Sequence, residues 1–107
     1  MTSTQRNEIL HAYRAGLRKA LHEALDTVIL YGSHARGEDS KESDIDVLCV
    51  MRKPFDYGEM IARTSALTAR LSLKYGVVLS RAFVTRDEYE TRQLPFLMNV
   101  RREGIAV

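Results

Sequence analysis

Apolar residues recur along this chain with two different periods, and the switches between them mark its elements. Near the N-terminus Leu10, Tyr13, Leu17, Leu21, Ala24 and Leu25 fall at helical spacing behind Ser3 and Thr4, either of which can cap a first helix. The run "TVILYG" reads as a strand ending at Gly32. "SHARG" has room for about one helical turn, which Gly37 is suited to close. "EDSKES" reads as a polar loop and "DIDVLCVM" as a second strand, with Pro54 ending the region beyond it. Tyr57 to Tyr75 predicts a long helix, with Ile61, Leu67, Leu71 and Tyr75 as its apolar stripe and Gly76 as its stop. "VVLSRAFV" predicts a third strand. Thr85 to Glu88 fits a capping box that starts a short helix, and "PFLMNVRREG" predicts a last one. The order helix, strand, turn, strand, helix, strand, helix, helix implies an α/β (α+β) fold, a small sheet flanked by helices, with residues 1–107 forming one domain.

Composition narrows the function classes. Hydrophobic residues make up 45% of the 107, enough for a packed core. Sixteen basic residues against fourteen acidic ones leave a net charge of +2, too mild a balance to indicate nucleic-acid binding. Cys49 is the only cysteine, so no internal disulfide can form, and its apolar strand implies a buried, reduced thiol. The opening "MTSTQRNEIL" has no apolar signal core, and no stretch is long enough to cross a bilayer. The expected location is the cytoplasm.

Two acids interrupt the second apolar strand. Side chains alternate along a strand, so Asp44 and Asp46 should point to one face while Ile45 and Val47 point to the other. Two carboxylates on one face repel each other and call for a positive charge between them. A hard divalent cation is one such charge, and it keeps coordination positions open for substrate phosphates. Nearby arginine or lysine is the structural alternative, and for a bare Asp-x-Asp that alternative would win. The context shifts the balance. Gly32-Ser33 stands where a strand turns into a helix, where a glycine permits close backbone approach and the first amides of the helix can hold a phosphate. The Ser33 hydroxyl adds a donor. Arg36, on the same turn, can reach phosphates or stand as a solvated arginine. His34 reads as a surface residue, because no second histidine lies at ligand spacing.

The stretch "GSHARGEDSKESDIDVLCV" resembles the signature of the DNA-polymerase-β-like nucleotidyltransferase superfamily: Gly-Ser, ten residues that include a turn, then Asp-x-Asp followed by apolar residues. With a single helix ahead of its first strand, the chain is similar to the minimal nucleotidyltransferases, the type paired with HEPN-domain partners in toxin–antitoxin systems. The resemblance implies a small mixed sheet flanked by helices, with Mg²⁺ or Mn²⁺ at Asp44 and Asp46 and the phosphates of ATP or another NTP at Gly32 and Ser33. The implied reaction transfers a nucleoside monophosphate and releases pyrophosphate.

One part of the pattern is broken. Active members of that superfamily usually carry a third carboxylate on the next strand. In "VVLSRAFV" the positions for it are Val78 and Ser80, neither acidic. Asp87 and Glu88 come later, at a helix start whose dipole they complement. Two function classes therefore stand: a metal-dependent nucleotidyltransferase that adds AMP to a hydroxyl, such as a tyrosine of a HEPN toxin, and a weakened or inactive relative that neutralises its toxin by binding. A chain with so little surface to enclose a substrate invites a wall from a partner or from a second copy in a homo-oligomer.

Overall fold

The first helix is capped one residue ahead of Ser3, the earlier of the two expected caps. Thr2 takes the N-cap position and Gln5 answers it: the Thr2 hydroxyl accepts from the Gln5 amide while the Gln5 side chain accepts from the Thr2 amide. In the computed structural model, which describes residues 1–37 and 44–107, helix α1 spans Ser3–Leu21, a 3₁₀ turn covers His22–Ala24, and strand β1 runs Leu25–Tyr31. There follow the one-turn helix α2 (Ser33–Arg36), β2 (Ile45–Met51), α3 (Tyr57–Tyr75), β3 (Leu79–Thr85), α4 (Arg86–Thr91), α5 (Pro95–Glu103) and β4 (Ile105–Ala106). The polar loop expected at "EDSKES" lies outside the described residues. Among the described residues no helix is long and apolar enough to cross a membrane.

Periodicity carries α1 too far. His22 turns the chain at φ 51°, and Ala24 and Leu25, expected on the helix, belong to the 3₁₀ turn and the sheet. Leu25 is fully buried opposite Met51 of β2, and the Arg18 guanidinium donates to the carbonyls of Leu25 and Asp26. Competition from the sheet thus decides where the helix stops. Helix α3 has the expected bounds, with Asp56 as N-cap and Gly76 in the left-handed region. Its buried line is Met60, Thr64, Thr68 and Leu71, whereas Ile61, Leu67 and Tyr75 of the expected stripe are only partly covered.

The four strands form one mixed sheet in the order β3-β2-β1-β4. β1 pairs antiparallel with β2 and β4, and β2 pairs parallel with β3. The two-residue β4 was not expected, being too short to show a period. One sheet face packs on α1 and α3 through Val28, Leu30, Ile45, Val47, Cys49 and Phe83. The other packs Ile29, Leu48 and Val50 against Leu97 and Val100 of α5. β2 is buried on both faces, which is why it reads as a nearly unbroken apolar run. Cys49 is buried as expected, and burial pushes its thiol up to about 12.

The two threonines of α3 are explained by a buried polar chain. The Thr68 hydroxyl donates to the Thr64 carbonyl at 2.8 Å, so the Tyr13 hydroxyl, 2.8 Å away, must donate to it. The Thr64 hydroxyl donates to the Met60 carbonyl and accepts from Arg81 Nε at 2.9 Å, and Arg81 reaches on to the Ile61 carbonyl. β3 is thereby fastened to α3, and α3 to α1.

This chain predicts an asymmetry. Tyr13→Phe removes a donor and leaves Thr68 its bond to the helix, so it should cost about 1 kcal/mol. Thr68→Val leaves the fully buried Tyr13 hydroxyl without an acceptor and should cost more, roughly 1–3 kcal/mol. Urea unfolding at pH 7 orders the two. Burial raises the Tyr13 pKa from 10.0 to about 12. Its contribution is therefore complete below pH 10 and lost as the pH rises towards 12, a loss that Tyr13→Phe should lack.

Candidate active site

The end of β1 and the start of β2 meet because the two strands are antiparallel and Tyr31 lies opposite Asp46. Directly after Tyr31 the chain must turn, and Gly32 does so at φ 79°, ψ −157°. A Cβ on Gly32 would stand 2.9 Å from Asp46 Oδ2, so both the backbone angle and the space require glycine. Ser33 then opens α2. The Gly32 carbonyl accepts from the amides of Ala35 and Arg36, and Gly37 closes the turn in the left-handed region at φ 72°. The first amides of a helix have no partner within it, so this turn presents donors beside the carboxylate.

The two aspartates are less alike than expected. Asp46 lies in β2 and is partly buried, whereas Asp44 precedes the strand and is exposed. They still feel each other. The Asp46 pKa is raised first by desolvation and then by the charge of Asp44, and His34 opposes both. His34 is 2% exposed, against the expectation of a surface histidine. Helix α2 lies against β1 and β2, and a single turn so placed covers one of its own side chains. Arg36 does not stand as a lone solvated cation: it pairs with Glu103 of α5 at 3.4 Å.

The parallel pairing of β2 and β3 sets Ser80 directly beside Asp46. Val78 precedes β3, is 57% exposed, and its carbonyl accepts from the Ile45 amide. Among the described residues no three His, Cys, Asp or Glu side chains gather as a metal site. Asp87 and Glu88 stand at the far end of β3 in the capping role expected of them, and the hydrogen bond from the Thr85 amide lowers the Glu88 pKa. Two mutually repelling oxygen donors with a glycine against one of them fit a hard divalent cation whose remaining positions stay open.

A hollow of about 180 Å³ adjoins Gly32, between the Tyr31–Arg36 corner and helix α5. Tyr31 meets Phe96 edge to face at 5.2 Å, and desolvation followed by the charge of Asp46 raises its pKa to about 12. Sequence reasoning missed the contribution of α5, whose apolar residues signal packing and nothing more. A larger cavity, about 810 Å³, lies at the opposite end of β2, with Arg52, Lys53, Phe55 and Asp56 in its lining. Its carboxylates, Glu23, Asp56 and Glu59, stand among Arg52 and Lys53, and no glycine turn lines it, so the candidate site is set at the smaller hollow.

The nucleotidyltransferase domain model matches residues 15–99 of this chain. Two proteins of Methanocaldococcus jannaschii, MJ0604 and MJ0141, each named a putative protein adenylyltransferase, are similar to it. The first is 37% identical over 100 residues, covering 92% of this chain and 85% of its own. The second is 31% identical over 100 residues, covering 94% of this chain and 96% of its own. Among solved structures, a toxin–antitoxin with AMP-PNP superposes with a TM-score of 0.59 at 17% identity, over 88% of this chain and 68% of that one. At that identity the likeness is one of fold.

The geometry predicts opposite effects for two substitutions. Gly32→Ala adds a Cβ against Asp46 at a positive φ and should destabilise by about 1 kcal/mol or more. Asp46→Asn should raise the melting temperature at pH 7. The folded-state pKa of Asp46 lies above its unfolded value, so its contribution is complete below that value and lost as pH rises through the folded one. The advantage of the asparagine should therefore shrink as the pH falls past the ordinary aspartate value of 3.8. Thermal melts of both variants across pH check the signs.

Proposed function

This chain belongs to the nucleotidyltransferase domain family, and we propose that it transfers AMP from ATP to a protein hydroxyl, the acceptor being a tyrosine of a HEPN-type toxin that the transfer neutralises. The observation that carries this reading is the approach of Gly32 to Asp46, which joins a turn suited to phosphate with an acidic pair suited to a divalent cation. The names of the two Methanocaldococcus relatives support a protein acceptor, and the fold neighbour, a toxin–antitoxin with AMP-PNP, supports a toxin partner.

The Gly32-Ser33 turn and Arg36 would hold the triphosphate, and Asp44 and Asp46 would hold Mg²⁺ or Mn²⁺. When bound, the cation neutralises charge on the phosphate oxygens. The acceptor oxygen forms a bond to the α-phosphorus, the bond from that phosphorus to the bridging oxygen breaks, and pyrophosphate leaves. The hydroxyl proton must go to a base. Ser80, beside Asp46, can hydrogen-bond but cannot take that proton at neutral pH. Asp46 is a stronger base than an ordinary aspartate, but it is also needed to hold the cation. Ser80 therefore favours a second reading, in which the protein works mainly by binding its partner and turns over slowly.

Labelled ATP with Mg²⁺ separates the two. The chain alone should transfer little. With a HEPN-domain toxin as candidate acceptor, label should appear on a tyrosine of that protein, and Asp44→Asn with Asp46→Asn should abolish it. Ser80→Asp should raise the rate about 10²–10⁴-fold at matched folded fraction, the typical worth of a general base. Val78→Asp should change it little, because Val78 is exposed ahead of β3. Binding of the partner with no label from any variant would leave only the binding reading. An ordinary enzymatic rate from the parent would show that Ser80 does not limit it.

A further inference from the structure

Glu103 ends helix α5, 67 residues beyond Arg36 in the chain, and its Oε2 lies 3.4 Å from Arg36 Nη1. Both residues line the hollow that adjoins Gly32. The pair is not needed to hold α5 in place. Leu97 and Val100 are buried against the sheet, and Gly104 passes so close that a Cβ there would meet the Val100 carbonyl and Ile29. With side chains 40% and 32% exposed, the ion pair itself adds little stability. It does set a carboxylate against the arginine of the phosphate turn. We propose that Glu103 is a specificity-determining residue of the nucleotide site: it withholds Arg36 from a bare triphosphate and so restricts the site to the triphosphate complexed with a divalent cation. The proposal rests on the nucleotidyltransferase reading above.

The balance of charge carries it. Asp46 stands against Gly32, Asp44 adds its charge to that of Asp46, and Glu103 supplies a third carboxylate from the α5 side. Among the described residues that line the hollow, Arg36 is the only cation, and Glu103 already answers its charge. A bare triphosphate gains the amides of the Gly32-Ser33 turn. It also meets three carboxylates of its own sign, and it must break an ion pair to reach Arg36. Because Asp46 is partly desolvated, water and salt screen that repulsion only in part. A divalent cation removes most of the opposition: held by Asp44 and Asp46, it offsets their charge and that of the phosphates together. Glu103 is then the one carboxylate left to compete for Arg36. The two aspartates thus create the need for the cation, and Glu103 keeps Arg36 from replacing it.

Calorimetry with inorganic tripolyphosphate, once with Mg²⁺ and once with EDTA, tests this on the whole chain. The parent should bind the Mg²⁺ complex and bind the bare anion more weakly. Glu103→Gln keeps the shape and removes the charge. It should tighten the bare anion about 2–10-fold and the complex by less, so that the preference for the complex narrows. In an Arg36→Gln background the same change should have a smaller effect, because no guanidinium remains to be released. Thermal melts should place Glu103→Gln close to the parent, since the pair is exposed. A preference unmoved in folded Glu103→Gln would overturn the proposal and leave the transferase reading in place. Weaker binding of both forms by that variant would also overturn it, because Glu103 would then position Arg36 for the phosphates instead of withholding it. Failure of the folded parent to bind either ATP or tripolyphosphate with Mg²⁺ would overturn that reading and this proposal together.

Discussion

The candidate site depends on one pairing, that of β1 with β2 in the register that sets Tyr31 opposite Asp46. Because the strands are antiparallel, the chain leaves β1 at the level where it enters β2, and the phosphate-like turn and the acidic pair are neighbours by construction. A slip of one residue would move every side chain of β2 to the other face. The apolar residues of β2 would tolerate that, since Val47 and Cys49 are buried on one side and Leu48 and Val50 on the other. Asp46 would not. It would enter the layer under α1 and α3, where Ile45 now sits fully buried. The residue that would hold the cation therefore also polices the register that places it.

That arrangement has a cost, which the rest of the sheet offsets. Asp46 is partly desolvated beside another negative charge, and no glycine side chain shields it. Across the sheet the α1–α3 layer does the opposite. It buries Tyr13, Leu17, Leu21 and Leu25 almost completely, each such side chain contributing about 1.5–3 kcal/mol. Within it every hydroxyl of the Tyr13–Thr68–Thr64 chain finds a partner, and Arg81 ends the chain with three bonds to α3. One face is closed, and the other is covered by α5 only as far as Ile29, Leu48 and Val50. Asp46 and Ser80 lie beyond that cover, with Tyr31 at its edge against Phe96.

What could be read from the sequence follows from how local its causes are. Gly76, Asp56 and a clean helical period bound α3 within itself, and the Thr85–Glu88 capping box fixes α4 in four residues. The end of α1 could not be read this way, because Ala24 and Leu25 fit the helical period and only the pairing of Leu25 with Met51 removes them from it. Thr64 and Thr68 look out of place on an apolar stripe until Tyr13 and Arg81, from other elements, supply their bonds. His34 failed for the same reason, since nothing near it in sequence shows that α2 lies flat on the sheet. β4 is too short to have a pattern and exists through its pairing with Ile29 and Leu30.

The site divides along the same line. The residues proposed to hold phosphate and metal belong to one continuous stretch of sequence from Gly32 to Asp46, because they need only a strand end, a turn and a strand start. These are short-range requirements, and they left a motif. The side of the hollow formed by α5 has no such trace. Arg36 and Glu103 meet across 67 residues of sequence, and Phe96 reaches Tyr31 only after β3, α4 and the turn before Pro95 have brought α5 back over the sheet. A helix carried so far can change its outward residues without disturbing Leu97 and Val100, which hold it down. The residues proposed to meet a nucleoside triphosphate thus sit where the backbone dictates their place. The other wall of the hollow sits on an element fixed only by packing, where a sequence read alone shows a helix and no more.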